Sequence, residues 1–254
     1  MTGPAAQLPA VQHLVVRYAK RGKMRFASHR DVARVFERGV RRAGLPIAYS
    51  AGFTPHPKIS YAGGTATGVA SEAEYLSIAL TSRQAAAQVR ERLNETLPDG
   101  IEVIDVVDDA GGLSAPEASQ WRVVLPGVEP ASAERAVAGF LTLSEAPVER
   151  LTDKGVRRLD ARAAVVTLDV IEPADPDDGL SAAVTGVQGC AILRMVVLHT
   201  APAVRPDDVL TALREQYGLV PSSPPITTRL AQGSLALLAG TSALWRRLPG
   251  AGEP

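Results

Sequence analysis

The sequence predicts an α+β fold of two tandem ferredoxin-like (βαββαβ) domains with antiparallel sheets, and three observations carry that prediction. Hydrophobic periods of two and of 3.6 residues follow one another as strand–helix–strand–strand–helix–strand over residues 11–107. The same element order returns over residues 120–244 without visible sequence identity. Between them, residues 108–120 (DDAGGLSAPEASQ) have the composition of a linker. With 254 residues, 46% of them hydrophobic, the chain is long enough for two cores of this size.

The elements of the first half are justified in turn. Leu14, Val16 and Tyr18 alternate with His13, Val15 and Arg17, the pattern of a half-buried strand. A basic turn, Lys20–Lys23, leads to Met24-Arg25-Phe26 and then to Ser28-x-x-Asp31, which reads as a capping box. The helix that follows buries Val32, Val35, Phe36, Gly39, Val40 and Ala43, and Gly44 and Pro46 stop it. Short strands at Pro46–Ser50 and Lys58–Ala62 flank the loop 51–57, which contains Pro55-His56-Pro57. Gly63–Gly68 is a flexible stretch without the Gly-Lys-Ser/Thr ending of a phosphate loop. Glu74–Leu80 is a strand, Thr81-x-x-Gln84 caps a helix burying Ala86, Val89, Leu93 and Leu97, and Ile101–Val107 closes the domain.

In the second half, Trp121–Pro126 is a strand and Ser132–Leu143 a helix. Glu149–Leu151 and Leu159–Ile171 read as extended, and Glu172–Gly189 as an acidic insertion expected to be mobile. Ala191–His199, nearly all apolar, reads as a central strand. Pro206 opens a helix through Val209, Leu210, Leu213 and Tyr217, and Ile226–Leu238 is extended again.

Composition excludes several classes of chemistry. The single cysteine, Cys190, rules out a disulfide framework, a cysteine-built zinc site and an iron–sulfur cluster within this chain. No apolar run reaches the roughly 18–20 residues of a membrane helix, and the N-terminus does not read as a signal peptide. The expectation is a cytoplasmic protein without cofactor, metal or membrane contact. Formal charge is zero, yet it is polarised. Residues 1–60 carry eleven Lys/Arg against two acids, whereas residues 61–130 carry four against eleven.

That polarisation singles out the stretch 17–61. Arg30, Arg34, Arg38 and Arg41 recur at steps of four and three, so they form a ridge on the polar face of the helix. The helix dipole favours cations near the C-terminus but does not explain Arg30 in the first turn. Arg and Lys on one helix face, with Phe53 and Tyr61 neighbouring in the sequence, suit phosphate neutralisation with base stacking. The expected nucleic-acid contacts are Arg17, Lys20, Arg21, Lys23, Arg25, Ser28, His29, Arg30, Arg34, Arg41, Phe53, His56 and Lys58. A second cluster adds Lys154, Arg158 and Arg162, with Asp160 on the same strand side as a bridge between the two arginines. His29 and His56, both beside cations, are the candidates for acid–base catalysis in a metal-independent ribonuclease or RNA-modifying enzyme. No Ser-His-Asp triad, carboxylate pair or nucleotide fingerprint stands out.

A set of motifs within this stretch carries a family resemblance. They are Lys20-x-Gly22 with Arg25-Phe26, Ser28-His29-x-Asp31, Arg41-Arg42-Ala43 before Leu45-Pro46, Tyr49-Ser50-x-Gly52-Phe53-x-Pro55-His56-Pro57-Lys58, and later Gly68 and Glu74-Tyr75. Lys154-Gly155 with Asp160-x-Arg162 looks like a second-half motif. Together they resemble the radical-SAM-linked proteins, an uncharacterised family whose members stand alone or follow a radical-SAM enzyme. The chain departs from that pattern at Ser77 and Ala79, where acidic residues are expected. The resemblance implies an accessory module with RNA as ligand and an RNA-processing or radical-SAM enzyme as partner. The expected function is therefore an RNA-binding accessory protein in RNA processing or modification. The alternatives are the histidine-based enzyme and a protein–protein adaptor.

Overall fold

The computed structural model describes residues 8–51, 53–109, 115–152, 155–171 and 189–239. The chain divides into two compact units at Ala115 and Pro116. The acidic segment 172–188, Gly52, Lys154 and the tail beyond 239 lie outside the described residues.

In the first unit, alternation along β1 (Gln12–Lys20) turns Leu14, Val16 and Tyr18 inward. A 3-10 turn (Gly22–Phe26) delivers the chain to α1 (His29–Arg42). Then follow β2 (Ile59–Ala62), β3 (Ala70–Leu80), α2 (Ala86–Asn94) and β4 (Ile101–Asp108). The strands stand in the order β4–β1–β3–β2, and every pairing in this unit is antiparallel. Both helices pack their apolar stripes on one sheet face, where Val32, Phe36, Val40, Val89 and Leu93 meet Leu14, Val16, Leu76, Ile78 and Val103. Phe36 is fully buried with its ring 4.7 Å from that of Tyr18, in an edge-on contact. Truncating such a side chain to alanine costs about 3–5 kcal/mol.

The second unit runs β5 (Ala118–Pro126), α3 (Pro130–Thr142), β6 (Pro147–Thr152), β7 (Gly155–Asp160), α4 (Ala161–Ala164), β8 (Val165–Ile171) and β9 (Cys190–Leu198). It ends with α5 (Pro206–Tyr217), β10 (Ile226–Gly233) and α6 (Leu235–Ala239). Its sheet has the order β10–β5–β9–β8, again with antiparallel pairings, and β6 and β7 form a separate hairpin. That hairpin sits between the unit's first helix and its second sheet strand. The first unit carries its loop 46–58 at the same point of the chain path.

The fold is thus α+β with largely antiparallel pairing, and four local readings need correction. The extended stretch Leu159–Ile171 is broken by α4, because the Asp160 carboxylate accepts from Arg162 N (2.9 Å) and Ala163 N (3.3 Å) and caps a helical turn. Ile226–Leu238 ends as a strand at Gly233 and continues into α6. Thr81 does not cap α2; its hydroxyl donates to Pro46 O (3.1 Å), and the helix begins at Ala86 without a side-chain cap. Pro46–Ser50 makes only two isolated bridges, Ile47 with Leu80 and Tyr49 with Pro57, rather than a strand.

Candidate nucleic-acid interface

The start of α1 is built as its sequence demands. Ser28 Oγ accepts from Asp31 N (3.2 Å), Asp31 Oδ2 accepts from Ser28 N (3.2 Å), and the hydroxyl donates to the same carboxylate oxygen (2.6 Å). These bonds hold the Asp31 carboxyl below the usual carboxylate range. The loop after β2 folds against this end. Gly64 comes so near that a Cβ there would lie 3.2 Å from His29 Cδ2, Thr65 N donates to Glu74 Oε2 (3.2 Å), and Gly68 N donates to Arg25 O (2.8 Å). His29 itself is exposed, with its ring edge-on to Tyr61 at 5.2 Å. Burial, with a smaller contribution from Glu37, pushes the Tyr61 phenol well above its ordinary value.

The basic stretch separates into two populations. Arg21 is clamped by Glu72 and Glu102, and the hydrogen bond to Glu72 is the main cause that raises its already high pKa. Arg17 Nε donates to Glu72 O (3.0 Å), and Lys20 is only 3% exposed. These three side chains are structural in their contacts. The cations of α1 are different. Arg30, Arg34, Arg38, Arg41 and Arg42 are all exposed, and none makes a hydrogen bond or ion pair among the described residues. The exposed Asp31 carboxylate feels the charges of Arg34 and Arg30. Along the helix, Arg30 to Arg41 spans about 16 Å. Lys23 and Lys58 are exposed as well, and the Arg25 guanidinium lies 4.6 Å from the centre of the Phe26 ring.

The loop 46–58 is pinned at its base. Lys58 N donates to Ala48 O (2.8 Å), Ser50 N to His56 O (2.8 Å) and His56 N to Ser50 Oγ (3.0 Å). Its tip leaves Phe53 wholly exposed. A benzyl group held in water by an anchored loop is available for stacking. His56 shares this loop, whereas His29 sits against Tyr61, and no contact joins the two imidazoles among the described residues.

The two described arginines of the second-half cluster have partners within the chain, Arg158 through an exposed ion pair. Arg158 Nε donates to Glu149 Oε1 (2.8 Å), and Arg162 donates to Val165 O (3.1 Å) and Leu141 O (3.4 Å). Asp160 therefore caps α4 instead of bridging Arg158 and Arg162, and the α4 turn removes Arg162 from the strand on which that bridge depended. Lys154 lies outside the described residues.

One feature escaped the sequence reading. Val35, Arg38 and Arg42 on one flank of α1 face Thr96, Leu97 and Pro98 across an open groove of about 300 Å³. The Thr96 hydroxyl is within donating reach of Gly39 O (3.2 Å) as well as of Leu93 O (3.0 Å) in its own turn, and Leu97 Cδ2 would be 3.1 Å from a Cβ at position 39, so glycine is what lets this loop close on the helix. Leu97 reads in sequence as one more buried helix position, and its partners lie more than fifty residues away. Only the arginine spacing hints at the groove.

Among the described residues, no group of three or more His, Cys, Asp or Glu is placed to hold a metal ion, and no helix is long and apolar enough to cross a membrane. Among solved structures, the chain is similar to the first two RRM domains of yeast poly(U) binding protein. That match has 9% identity and a TM-score of 0.19, over 84% of this chain and 98% of that one. No curated protein matches the chain significantly. A family pattern does match, over residues 13–206: the chain belongs to the DUF2344 family of uncharacterized proteins conserved in bacteria.

Proposed function

We propose that this protein binds RNA as an accessory factor in RNA processing or modification, gripping backbone phosphates with the outer face of α1. The observation that carries this reading is the row of exposed arginines on α1 that lack internal partners, while Arg21, in the same basic stretch, is neutralised by Glu72 and Glu102. A solvated helix face is the ordinary role of charged side chains. Five unpaired guanidinium groups on fourteen residues, however, repel one another at a cost that a polyanion relieves. Phe53, wholly exposed on the loop that follows α1 in the chain, supplies a stacking surface that does not depend on base identity.

In this reading each unit is a ferredoxin-like domain, residues 11–107 and 120–244. The support is the element order and the strand order β4–β1–β3–β2, which recurs in the second unit as β10–β5–β9–β8. The motif resemblance to radical-SAM-linked proteins adds a modifying or processing enzyme as partner. A two-histidine nuclease is less well supported, since His29 and His56 stand on separate elements with different neighbours. The test is binding of single-stranded RNA by fluorescence anisotropy. Charge reversal at Arg30 and Arg34 weakens binding to all sequences alike, and unchanged affinity refutes the proposal.

A further inference from the structure

The groove between α1 and the loop 96–98 asks for a ligand of its own. Its walls are fixed in place: Thr96 is bonded to the Gly39 carbonyl, Leu97 rests on Gly39, and Arg92 Nη2 donates to the carbonyl of Ala43 at the helix end. Its lining combines two unlike chemistries. Arg38 and Arg42, one helical turn apart, bring cationic donors from the helix side, and Val35 beside them and Leu97 and Pro98 opposite add apolar lining. No carboxylate lines it, and neither guanidinium has a partner among the described residues. Stabilisation of the helix dipole accounts for Arg42 in the last turn. It does not account for the concavity beside it, nor for the apolar lining that the two donors share.

We propose that this groove is a nucleotide subsite. A phosphate is taken between Arg38 and Arg42, and the nucleoside lies on Leu97 and Pro98. A planar donor fork matches phosphate oxygens bidentately, and an apolar floor beside it favours a ligand with a flat body over a bare anion. A volume of about 300 Å³ is at the lower end for small-molecule sites and has room for one nucleotide. The proposal deepens the reading of α1 as an RNA grip and rests on it, because Arg38 follows Arg34 by one helical turn and a strand tracking the ridge reaches the groove next.

The full chain is titrated at low salt with AMP, adenosine and inorganic phosphate, followed by ligand-detected NMR. AMP is expected to bind at least tenfold more tightly than either of the other two, since only AMP uses both halves of the groove. The double substitution Arg38→Gln/Arg42→Gln weakens AMP by about tenfold or more, the range for loss of hydrogen bonds to a charged group. Arg83→Gln, an exposed arginine elsewhere in the same unit, leaves AMP affinity unchanged. A parallel arm uses a twelve-nucleotide oligoadenylate. If Arg38→Gln/Arg42→Gln weakens the oligonucleotide as well as AMP, the subsite takes a nucleotide within a strand; if it weakens AMP alone, the ligand is the free nucleotide. AMP binding no tighter than inorganic phosphate, or indifferent to the double substitution, overturns the subsite. If the oligonucleotide still depends on Arg30 and Arg34 in that case, the reading of α1 survives. Oligonucleotide binding indifferent to Arg30 and Arg34 sinks that reading separately.

Discussion

The separation of paired from unpaired arginines predicts how binding responds to salt. Each phosphate neutralised on a single strand contributes a slope of about −0.7 to log affinity against log salt. With Arg30, Arg34, Arg38 and Arg41 each taking one phosphate, the slope is about −2.8, so affinity falls about 50-fold between 50 and 200 mM salt. Replacing Arg30 and Arg34 by glutamine halves the slope to about −1.4, and the same salt step then costs only about sevenfold. Neutral glutamine is the better substitution here, because charge reversal adds repulsion and spoils the count. Arg21→Gln is the matched control. Its charge is already committed to Glu72 and Glu102, so the slope stays at the wild-type value. The assay is fluorescence anisotropy of a labelled single-stranded RNA across a salt series, with circular dichroism to confirm folding. An unchanged slope in the double variant, or an equal loss in Arg21→Gln, refutes the division of the stretch into structural and binding cations.

Three further outcomes are expected. Phe53→Ala removes a side chain that touches nothing, so the melting temperature holds while single-strand affinity falls by about 1–3 kcal/mol, read by thermal melts and anisotropy together. Arg150→Ala removes the ion-pair partner (2.7 Å) of the 4%-exposed Asp208 carboxylate but leaves it the Arg205 N–H, also at 2.7 Å, and urea unfolding should show a loss of about 1.5–3 kcal/mol. The His199 imidazole, bonded to Ser119 Oγ at 2.7 Å, has its pKa lowered mainly by burial from the ordinary 6.5. Its contribution is therefore fully present above that value and is lost as pH falls through the lower folded one. Melts at pH 7.5 and 5.5 test this, and His199→Gln should flatten the difference.

The elements that could be read from the sequence are those whose cause is local. Ser28 and Asp31 mark the start of α1 because both partners of the capping box lie within one turn. Leu14, Val16 and Tyr18 mark β1 because period two needs only a few residues to declare itself. α4 was hidden for a related reason: four small or flexible residues have no period, and only the Asp160 cap distinguishes them from a continuing strand. The site divides along the same line. The arginine ridge is a property of one helix and could be counted from the sequence. Which cations stay free could not, since Glu72 and Glu102 reach Arg21 from 51 and 81 residues away. The groove beside Arg38 likewise depends on Leu97 settling against Gly39, a tertiary fact that propensity does not encode.

The consumption of Arg21 by acids also bears on how the molecule meets a polyanion. With a formal net charge of zero, the protein has no monopole to draw a partner from a distance. What remains is a local positive field on α1 against acidic surface elsewhere in the chain. Such a field turns an approaching molecule more than it attracts it. If α1 grips a strand as proposed, the gain from this field is in orientation at short range, and it fades within about a Debye length, roughly 10 Å at 0.1 M salt.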